Sequence, residues 1–423
     1  MKLSRRDILR AGSLAAVGGL SMGCPLQRPP QTAAVAPVPE LPAGGRAGWG
    51  DGVRDGLARV NVAADREIRT VVGLRPFRAS GFRVEVERLD DKLLVHNYGH
   101  GGGGITLSWG TAEIAVEEAL SAASAAGLSS GWDGTPSSVA PAANGPGGGS
   151  CAVVGCGVVG LSTAILMQRK GWQVTIYAKD VPPHTTSNIA GGFWSPHAVS
   201  DPGRTGPGYY DRFVRASRVA HRYFQGMVSD HYGVRWIDTY AASSAPQPQP
   251  WFEAGTEDLY PQARSVASDE HPFPRAHVRM YSTLLIEPYT YLEALMRDFR
   301  IASGQLVVRT FSDAHELAAL NEPLVFNCTG MGAKELVNDA DMDPIRGQLT
   351  FLLPQPEVDY CLLSGDLYMF PRRDGILLGG THERGSWSTD PDAVAKQRIL
   401  QGHADLFATT SAGGSVGARS LGR

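Results

Sequence analysis

The stretch CAVVGCGVVGLSTAIL, residues 151–166, constrains the fold of this chain more than any other feature. A short apolar strand precedes Gly155, Gly157 and Gly160 in the spacing G-x-G-x-x-G, and an apolar helix follows. In such a turn the first glycine permits the sharp change of direction, the second lets the backbone approach a pyrophosphate, and the third lets helix and strand pack closely. Free N–H groups at the helix N-terminus then bind phosphate oxygens. The motif therefore predicts a dinucleotide site in an α/β fold.

The residues after this helix support the same interpretation. A second strand, QVTIYA, follows, and Asp180 lies 20 residues after Gly160, where an acidic side chain meets a ribose hydroxyl. Residues 185–197, TTSNIAGGFWSPH, are first polar and then small, and small residues let a broad planar ring approach. The glycine motif alone leaves FAD and NAD open. The predicted cofactor contacts in this part are Gly155, Gly157, Val158, Val159, Gly160, Lys179, Asp180, Thr185, Thr186, Ser187, Gly191 and Gly192.

The first residues have the pattern of an export signal. A basic segment, SRRDILR, precedes a short apolar run and then Cys24. The paired Arg5 and Arg6 resemble a twin-arginine signal, whose route exports folded proteins. We therefore expect residues 1–24 to direct a bacterial protein to the periplasm, with a membrane attachment only if Cys24 is acylated.

Composition divides the remaining chain. Residues 25–54 are rich in Pro, Ala and Gly and predict a disordered tether, and residues 121–150 hold almost no large apolar side chains and predict a linker. Between them, residues 55–120 form a first folded segment. Residues 151–408 alternate apolar strands with helical stretches, which is typical of α/β proteins. Residues 409–423 predict a disordered tail.

Charge and cysteine content narrow the function classes. The net charge is -3, so bulk charge does not indicate a nucleic-acid partner. Cys151, Cys156, Cys328 and Cys361 form no C-x-x-C pair, and no His/Cys cluster has metal-ligand spacing. We predict that these cysteines are buried free thiols and that the protein binds no metal.

Nine motifs together resemble the D-amino-acid oxidase family of FAD-dependent enzymes. They are VVGCGVVGLSTA, IYAKD, TTSNIAGGFW, FNCTG, IRGQL, LYMFP, LLGGT, VVGLRPFR and HNYGHGGGGITLSWG, and they are spread over residues 68–390. The resemblance implies FAD as the cofactor. It also implies a Rossmann-type FAD-binding domain with a second, mixed-sheet substrate domain.

The order of these motifs differs from that of the family. The stretches like GLRPFR and HNYGHGGGG come near the C-terminus in the family, but here they precede the first glycine motif. The chain therefore looks circularly permuted, with new ends near residues 55–65 and 390–410. Termini that lie close together at the surface make such a permutation feasible. Both glycine stretches are then expected to line one site.

The resemblance also implies roles for residues of the substrate site. Arg75 matches the arginine that binds the substrate carboxylate, Tyr368 matches a tyrosine that supports it, and the carbonyl of Gly102 is expected to accept from the substrate amine. Ser364 stands where vertebrate members have a lid tyrosine. Further flavin contacts are expected from Gly101, Gly103, Gly104, Ile105 and Thr106.

The activity implied is oxidative deamination of D-amino acids. The α-hydrogen passes as hydride to flavin N5, and the products are 2-oxo acids, ammonia and, with oxygen as acceptor, hydrogen peroxide. His382 takes the place of an arginine found in members that act on acidic substrates, and Arg384 follows. We expect His96, His100 and His197 to be structural. Alternatives are another FAD-dependent amine or glycine oxidase, a dehydrogenase, or an exported flavin-binding protein without turnover.

Overall fold

A computed structural model describes residues 53–54, 57–128 and 149–408. The predicted export signal, nearly all of the predicted tether, most of the predicted linker and the predicted tail lie outside the described residues. The strands are β1 (Val53–Arg54), β2 (Leu57–Ala58), β3 (Glu67–Arg78), β4 (Arg83–Leu89), β5 (Lys92–Tyr98), β6 (Ser150–Val154), β7 (Gln173–Ala178), β8 (Val234–Ser243), β9 (Arg264–Val266), β10 (His277–Ile286), β11 (Gln305–Val308), β12 (Leu324–Asn327), β13 (Met342–Leu352), β14 (Tyr360–Ser364), β15 (Leu367–Arg372), β16 (Gly375–Gly379) and β17 (Glu383–Arg384).

The helices connect and cover these strands. They are α1 (Gly104–Ala125), α2 (Val158–Arg169), α3 (Thr186–Ile189), α4 (Tyr209–Gly226), α5 (Pro288–Ile301), α6 (Ala314–Ala318), α7 (Ala333–Leu336) and α8 (Ala393–Leu406). In the part of the chain that the structure describes, no helix has the length and apolar character needed to cross a membrane.

A six-stranded sheet carries the dinucleotide motif. Its order is β11-β7-β6-β12-β5-β4, in which β4 pairs antiparallel with β5 and the other pairings are parallel. Every residue of β5 is buried, as expected for a strand inside a parallel sheet. The largest apolar core includes residues of this sheet and of α1, α2, α4 and α5. The sheet is therefore of Rossmann type.

A nine-stranded mixed sheet forms the second layer. Its order is β17-β13-β16-β15-β14-β8-β10-β9, with β3 also paired to β13. Only β14 and β8 run parallel; the other pairings are antiparallel. The predicted architecture, a Rossmann-type domain with a second mixed-sheet domain, is confirmed.

The segment before the predicted linker contributes to both sheets. Its strand β3 pairs with β13 over nearly its whole length, while β5 lies between β12 and β4. At the other end of the fold, Arg59 Nε donates to the Phe407 carbonyl over 2.6 Å. The first and last described parts of the chain are therefore neighbours in space.

Two predicted boundaries differ from the observed ones. Helix α1 continues to Ala125, five residues into the predicted linker, and β1 begins at Val53, inside the predicted tether. Ala119 and Ala123 of α1 are fully buried in the main core. The scarcity of large apolar side chains suggested a linker, but alanine forms helices readily and suffices where helices pack closely.

The four cysteines of the described residues are buried free thiols, as predicted. Burial raises the pKa of Cys156 and of Cys328 to about 12. These thiols are therefore protonated at neutral pH and are poor nucleophiles.

Candidate active site

One cavity of about 2840 Å³ is lined by residues from both sheets. Arg75, Tyr368 and Gly102 all line it, so the structure brings together the three predicted substrate residues. Of the predicted cofactor residues, the cavity is lined by Gly101, Gly104, Ile105, Thr106, Gly155, Gly157, Val158, Val159, Lys179, Asp180, Thr185, Thr186, Ser187, Gly191 and Gly192. Both glycine stretches therefore belong to one site.

The turn between β6 and α2 has the shape of a phosphate-binding turn. Gly155 has φ +114°, and a Cβ there would overlap the Cys328 carbonyl. Gly157 begins the helix without a side-chain cap, so most N–H groups of the first turn are available to a ligand. The N–H of Val158 donates to Ser187 Oγ over 3.1 Å. A dinucleotide pyrophosphate fits this position.

Gly160 does not line the cavity, although it was predicted as a cofactor contact. A Cβ at Gly160 would overlap the Gly155 carbonyl. Its role is therefore the close packing of α2 on the turn rather than contact with a ligand.

Residues at the carboxyl ends of the neighbouring parallel strands complete this part of the cavity. Asp180 is exposed two residues after β7, and its carboxylate has no hydrogen-bond partner among the described residues. Thr329 and Gly330, from the motif FNCTG, line the cavity after β12. The run 309–311 after β11 also lines it and was missed by the sequence analysis. Its position at the end of a parallel strand is the signal that could have found it.

Three glycines of the run of four, Gly101, Gly102 and Gly103, pack closely against residues 196–199. Gly101 has φ +54°, and a Cβ there would overlap the Ala198 carbonyl. The N–H of Gly102 donates to that carbonyl over 2.9 Å. A Cβ at Gly103 would meet the Val199 side chain, and Gly103 does not line the cavity. The expectation that Gly103 contacts the flavin is therefore replaced by a packing role.

Arg75 and Tyr368 lie over a part of the nine-stranded sheet that is formed by glycines. Arg75 Nη2 donates to Tyr368 Oη and Nη1 to the Thr381 carbonyl, both over 3.3 Å. A Cβ at Gly347 would overlap the guanidinium, and a Cβ at Gly379 would overlap the tyrosine ring. Both glycines stood in motifs of the sequence analysis, but their role was not predicted.

Arg75 has no acidic partner among the residues that the structure describes. Its neighbours in the cavity are His197 and His382. Desolvation by the surrounding cavity residues, with the positive charge of Arg75, lowers the pKa of His197 to about 4 and that of His382 to about 3. Both imidazoles are therefore neutral near pH 7, and the guanidinium is left to pair with an anionic ligand.

The other histidines differ in their surroundings. His96 Nε2 lies 2.9 Å from Glu87 Oε1, and His100 Nε2 lies 2.8 Å from Thr111 Oγ1, which are structural contacts. His197 was expected to be structural as well, but it lines the cavity beside Arg75. The expected structural role of His197 was incomplete, because only tertiary packing brings this residue close to Arg75.

Neither His382 nor Arg384 offers a free positive charge to a second carboxylate. His382 is neutral, and Arg384 forms ion pairs with Asp201 over 2.9 Å and with Asp343 over 3.1 Å. Its guanidinium also lies 4.8 Å from the centre of the Phe77 ring. This end of the site therefore gives no support for acidic substrates.

The cavity mouth lacks a lid tyrosine in the described part of the chain. Tyr360 is buried on the other side of the sheet, where its hydroxyl donates to the Ala58 carbonyl over 2.8 Å. Ser364 is the last residue of β14, and it lines the cavity. The loop 244–250 also lines it and was not predicted.

The Rossmann-type sheet and the mixed sheet share one cavity. It contains a phosphate-binding turn and an arginine without an acidic partner among the described residues. These features define the class of dinucleotide-dependent enzymes with two domains. The family model described as "DAO: FAD dependent oxidoreductase" matches residues 150–420. The chain belongs to this family of FAD-dependent oxidoreductases. The predicted family, enzyme class and cofactor are confirmed, and the glycine turn and open helix N-terminus fit FAD.

Similar proteins of known name come from several organisms. A D-amino-acid oxidase of Streptomyces coelicolor is 30% identical over 267 residues, which cover 60% of this chain and 76% of that protein. One of Rubrobacter xylanophilus is 32% identical over 257 residues, covering 59% and 74%. Human D-aspartate oxidase is 30% identical over 257 residues, covering 59% and 73%. A solved structure of Bacillus cereus glycine oxidase matches with 13% identity and a TM-score of 0.46, covering 61% of this chain and 77% of that one.

Proposed function

We propose that the protein catalyses the FAD-dependent oxidative deamination of D-amino acids to 2-oxo acids and ammonia, with oxygen reduced to hydrogen peroxide. The observation that carries the proposal is Arg75, which lines the cavity without an acidic partner among the described residues and is held by Tyr368. The D-amino-acid oxidases of Streptomyces coelicolor and Rubrobacter xylanophilus, both similar to this chain, support the choice of D-amino acids.

Arg75 binds the α-carboxylate of the substrate. Its planar guanidinium donates to two carboxylate oxygens at once, and charge-assisted hydrogen bonds of this kind are stronger than neutral ones. Tyr368 Oη, which accepts from Arg75 Nη2 over 3.3 Å, keeps its own proton to donate to the same carboxylate. The carbonyl of Gly102 accepts from the substrate amine.

The two imidazoles beside Arg75 are poorly suited to remove the α-hydrogen as a proton. His197 and His382 lie beside Arg75, but desolvation and its charge lower their pKa values to about 4 and about 3. Imidazoles with such pKa values are weak bases at neutral pH. FAD held at the glycine turn would supply the hydride acceptor for the α-hydrogen. The resulting imino acid hydrolyses to the 2-oxo acid and ammonia, so the protein supplies orientation and electrostatics.

The direct test compares Arg75→Ala with the wild type. We expect KM for D-alanine to rise roughly 100-fold or more, because two hydrogen bonds to a charged group are lost. The FAD content should not change, since Arg75 is separate from the phosphate-binding turn. Peroxide production measures turnover, and the visible absorbance of the purified protein measures FAD.

The control is Arg88→Ala, which removes an exposed arginine of β4. It should match the wild type in both measurements. Unchanged KM in Arg75→Ala would refute the assignment of the carboxylate site. Turnover of L-amino acids only would refute the proposed stereochemistry.

A further inference from the structure

Arg279 lies on the same face of the nine-stranded sheet as Tyr368. Arg279 of β10 is opposite Ala241 of β8, Ala241 is opposite Leu363 of β14, and Leu363 is opposite Tyr368 of β15. Residues that are directly opposite in a sheet have their side chains on one face. All four side chains line the cavity, so Arg279 belongs to the same chamber as the substrate residues.

One end of the Arg279 guanidinium is fixed. Nη1 donates to both carboxylate oxygens of Glu253, over 3.0 and 2.8 Å, and the Glu253 side chain is only 4% exposed. The guanidinium also lies 4.9 Å from the centre of the Tyr281 ring. A buried carboxylate and an aromatic ring therefore hold this arginine in one position.

The other end of the guanidinium is available. Neither Nε nor Nη2 of Arg279 has a hydrogen-bond partner within the described ranges, and the side chain is 36% exposed. The Nε–Nη2 edge of an arginine presents two parallel N–H donors that match the two oxygens of a carboxylate. The guanidinium of Arg279 is therefore preorganised to bind a carboxylate.

The space between Arg279 and Arg75 suits an aliphatic chain. Leu363 and Ala241 lie between the two arginines along the sheet and offer apolar side chains. The Phe252 ring, next to Glu253, lies 6.5 Å from the ring of His197, which in turn is beside Arg75. A ligand with two carboxylates joined by methylene groups would match these charges and this lining.

We propose that Arg279 binds the distal carboxylate of a long-chain dicarboxylic D-amino acid whose α-carboxylate is bound by Arg75. The proposal rests on the proposed function for the identity of the substrate, but not for the binding of two carboxylates. It places the specificity for acidic side chains at Arg279, and not at His382 or Arg384.

Unreactive dicarboxylates test the site without turnover. The holoenzyme is titrated with the aliphatic dicarboxylates from succinate to suberate and with monocarboxylates of equal length, and the change in the visible FAD spectrum measures binding. One dicarboxylate longer than succinate should bind at least about tenfold more tightly than the monocarboxylate of equal length. This is the gain expected from one added charge-assisted pair. The advantage should vanish in Arg279→Met.

The variants separate binding from a structural role. Arg279→Met leaves the buried Glu253 without its partner, so the double variant R279M/E253Q removes the pair without an isolated charge. Both should keep wild-type affinity for monocarboxylates. Arg264→Met, which removes an exposed arginine of the neighbouring β9, should keep the dicarboxylate advantage. Equal loss of affinity for every ligand in the double variant would show a structural role and overturn the proposal.

The two proposals fail in different ways. If no amino acid reduces the flavin but the dicarboxylate advantage depends on Arg279, the proposed function is wrong and the second carboxylate site stands. If neutral D-amino acids are oxidised but no dicarboxylate has an advantage, only the inference about Arg279 is overturned.

Discussion

At the scale of single residues, Gly347 and Gly379 leave room for the side chains of Arg75 and Tyr368. Gly379 lies directly opposite Tyr368 in the sheet, and Gly347 is two residues from Ile345, which is opposite Arg75. Alternate residues of a strand share a face, so both glycines lie beneath these two side chains. The positions of Arg75 and Tyr368 therefore depend on two residues that have no side chains.

Gly379→Ala should impair substrate binding without loss of FAD. The new Cβ would overlap the Tyr368 ring and displace its hydroxyl from Arg75. The loss of one hydrogen bond to a charged group predicts a fall in kcat/KM of roughly tenfold or more. Steady-state kinetics with D-alanine measure it. Gly226→Ala, where a Cβ meets nothing within 4 Å, is the control and should behave as the wild type. Equal kinetics for both variants would contradict the packing argument.

Buried histidines link the stability of the fold to pH. Burial lowers the pKa of His100 from 6.5 to about 3. Burial also lowers the pKa of His403 to about 4. Each is neutral in the folded state, whereas its unfolded counterpart binds a proton below about pH 6.5. The unfolded state therefore gains protons first, and stability falls as the pH drops from about 6.5 toward about 4.

His100→Gln should reduce this pH dependence. Glutamine keeps a group that can hydrogen-bond to Thr111 Oγ1 but does not titrate. The fall in Tm between about pH 7 and about pH 4.5 should be smaller in the variant than in the wild type, as linkage requires when one titrating group is removed. Differential scanning calorimetry measures it. An equal fall in both proteins would show that His100 does not contribute.

At the scale of elements, we propose that FAD binding depends on the turn before α2. A Cβ at Gly157 would lie 3.1 Å from Ser187 Oγ, in front of the free N–H groups of the helix. Gly157→Ala should therefore weaken FAD binding by roughly tenfold or more, because the new methyl group would disturb a hydrogen bond between the helix N–H groups and the charged pyrophosphate. Titration of the apoprotein with FAD measures the Kd. Gly203→Ala, with open space around its Cβ, is the control. Unchanged affinity would contradict the assignment of this turn to the pyrophosphate.

Local sequence predicts the elements around this turn, but it does not predict which strands pair in the nine-stranded sheet. The unit β6-α2-β7 follows from apolar runs and three glycines because its contacts are close in sequence. Arg279, Ala241, Leu363 and Tyr368 form one row only through the register of four strands. Such pairings are decided by tertiary packing, so the Arg279–Glu253 pair had no sequence signal.

At the scale of the whole molecule, we propose that the chain is a circular permutant of the usual family order. The family match begins at residue 150, yet β3, β4 and β5 come earlier in the chain and complete both sheets. Arg59 bonds to the Phe407 carbonyl, so the two described ends of the fold adjoin. Adjoining ends allow the chain to be joined there and opened elsewhere.

A rearranged chain tests the permutation. Joining residue 408 to residue 57 through a short Gly/Ser linker, and opening the chain between residues 129 and 148, should give a protein with the same FAD content and turnover. A second version opened inside β12, the central strand between β6 and β5, should not fold, because it breaks the sheet. A soluble first version that binds no FAD would contradict the proposal.

The central claim is that this FAD-dependent enzyme oxidises D-amino acids at the Arg75 site. The most direct test is the visible spectrum of the purified holoenzyme, recorded without oxygen before and after the addition of single D- and L-amino acids. Bleaching of the flavin bands by D-amino acids alone is the predicted result, and the fastest substrate then identifies the side-chain class. A flavin spectrum that no amino acid bleaches, or that only L-amino acids bleach, would contradict the claim.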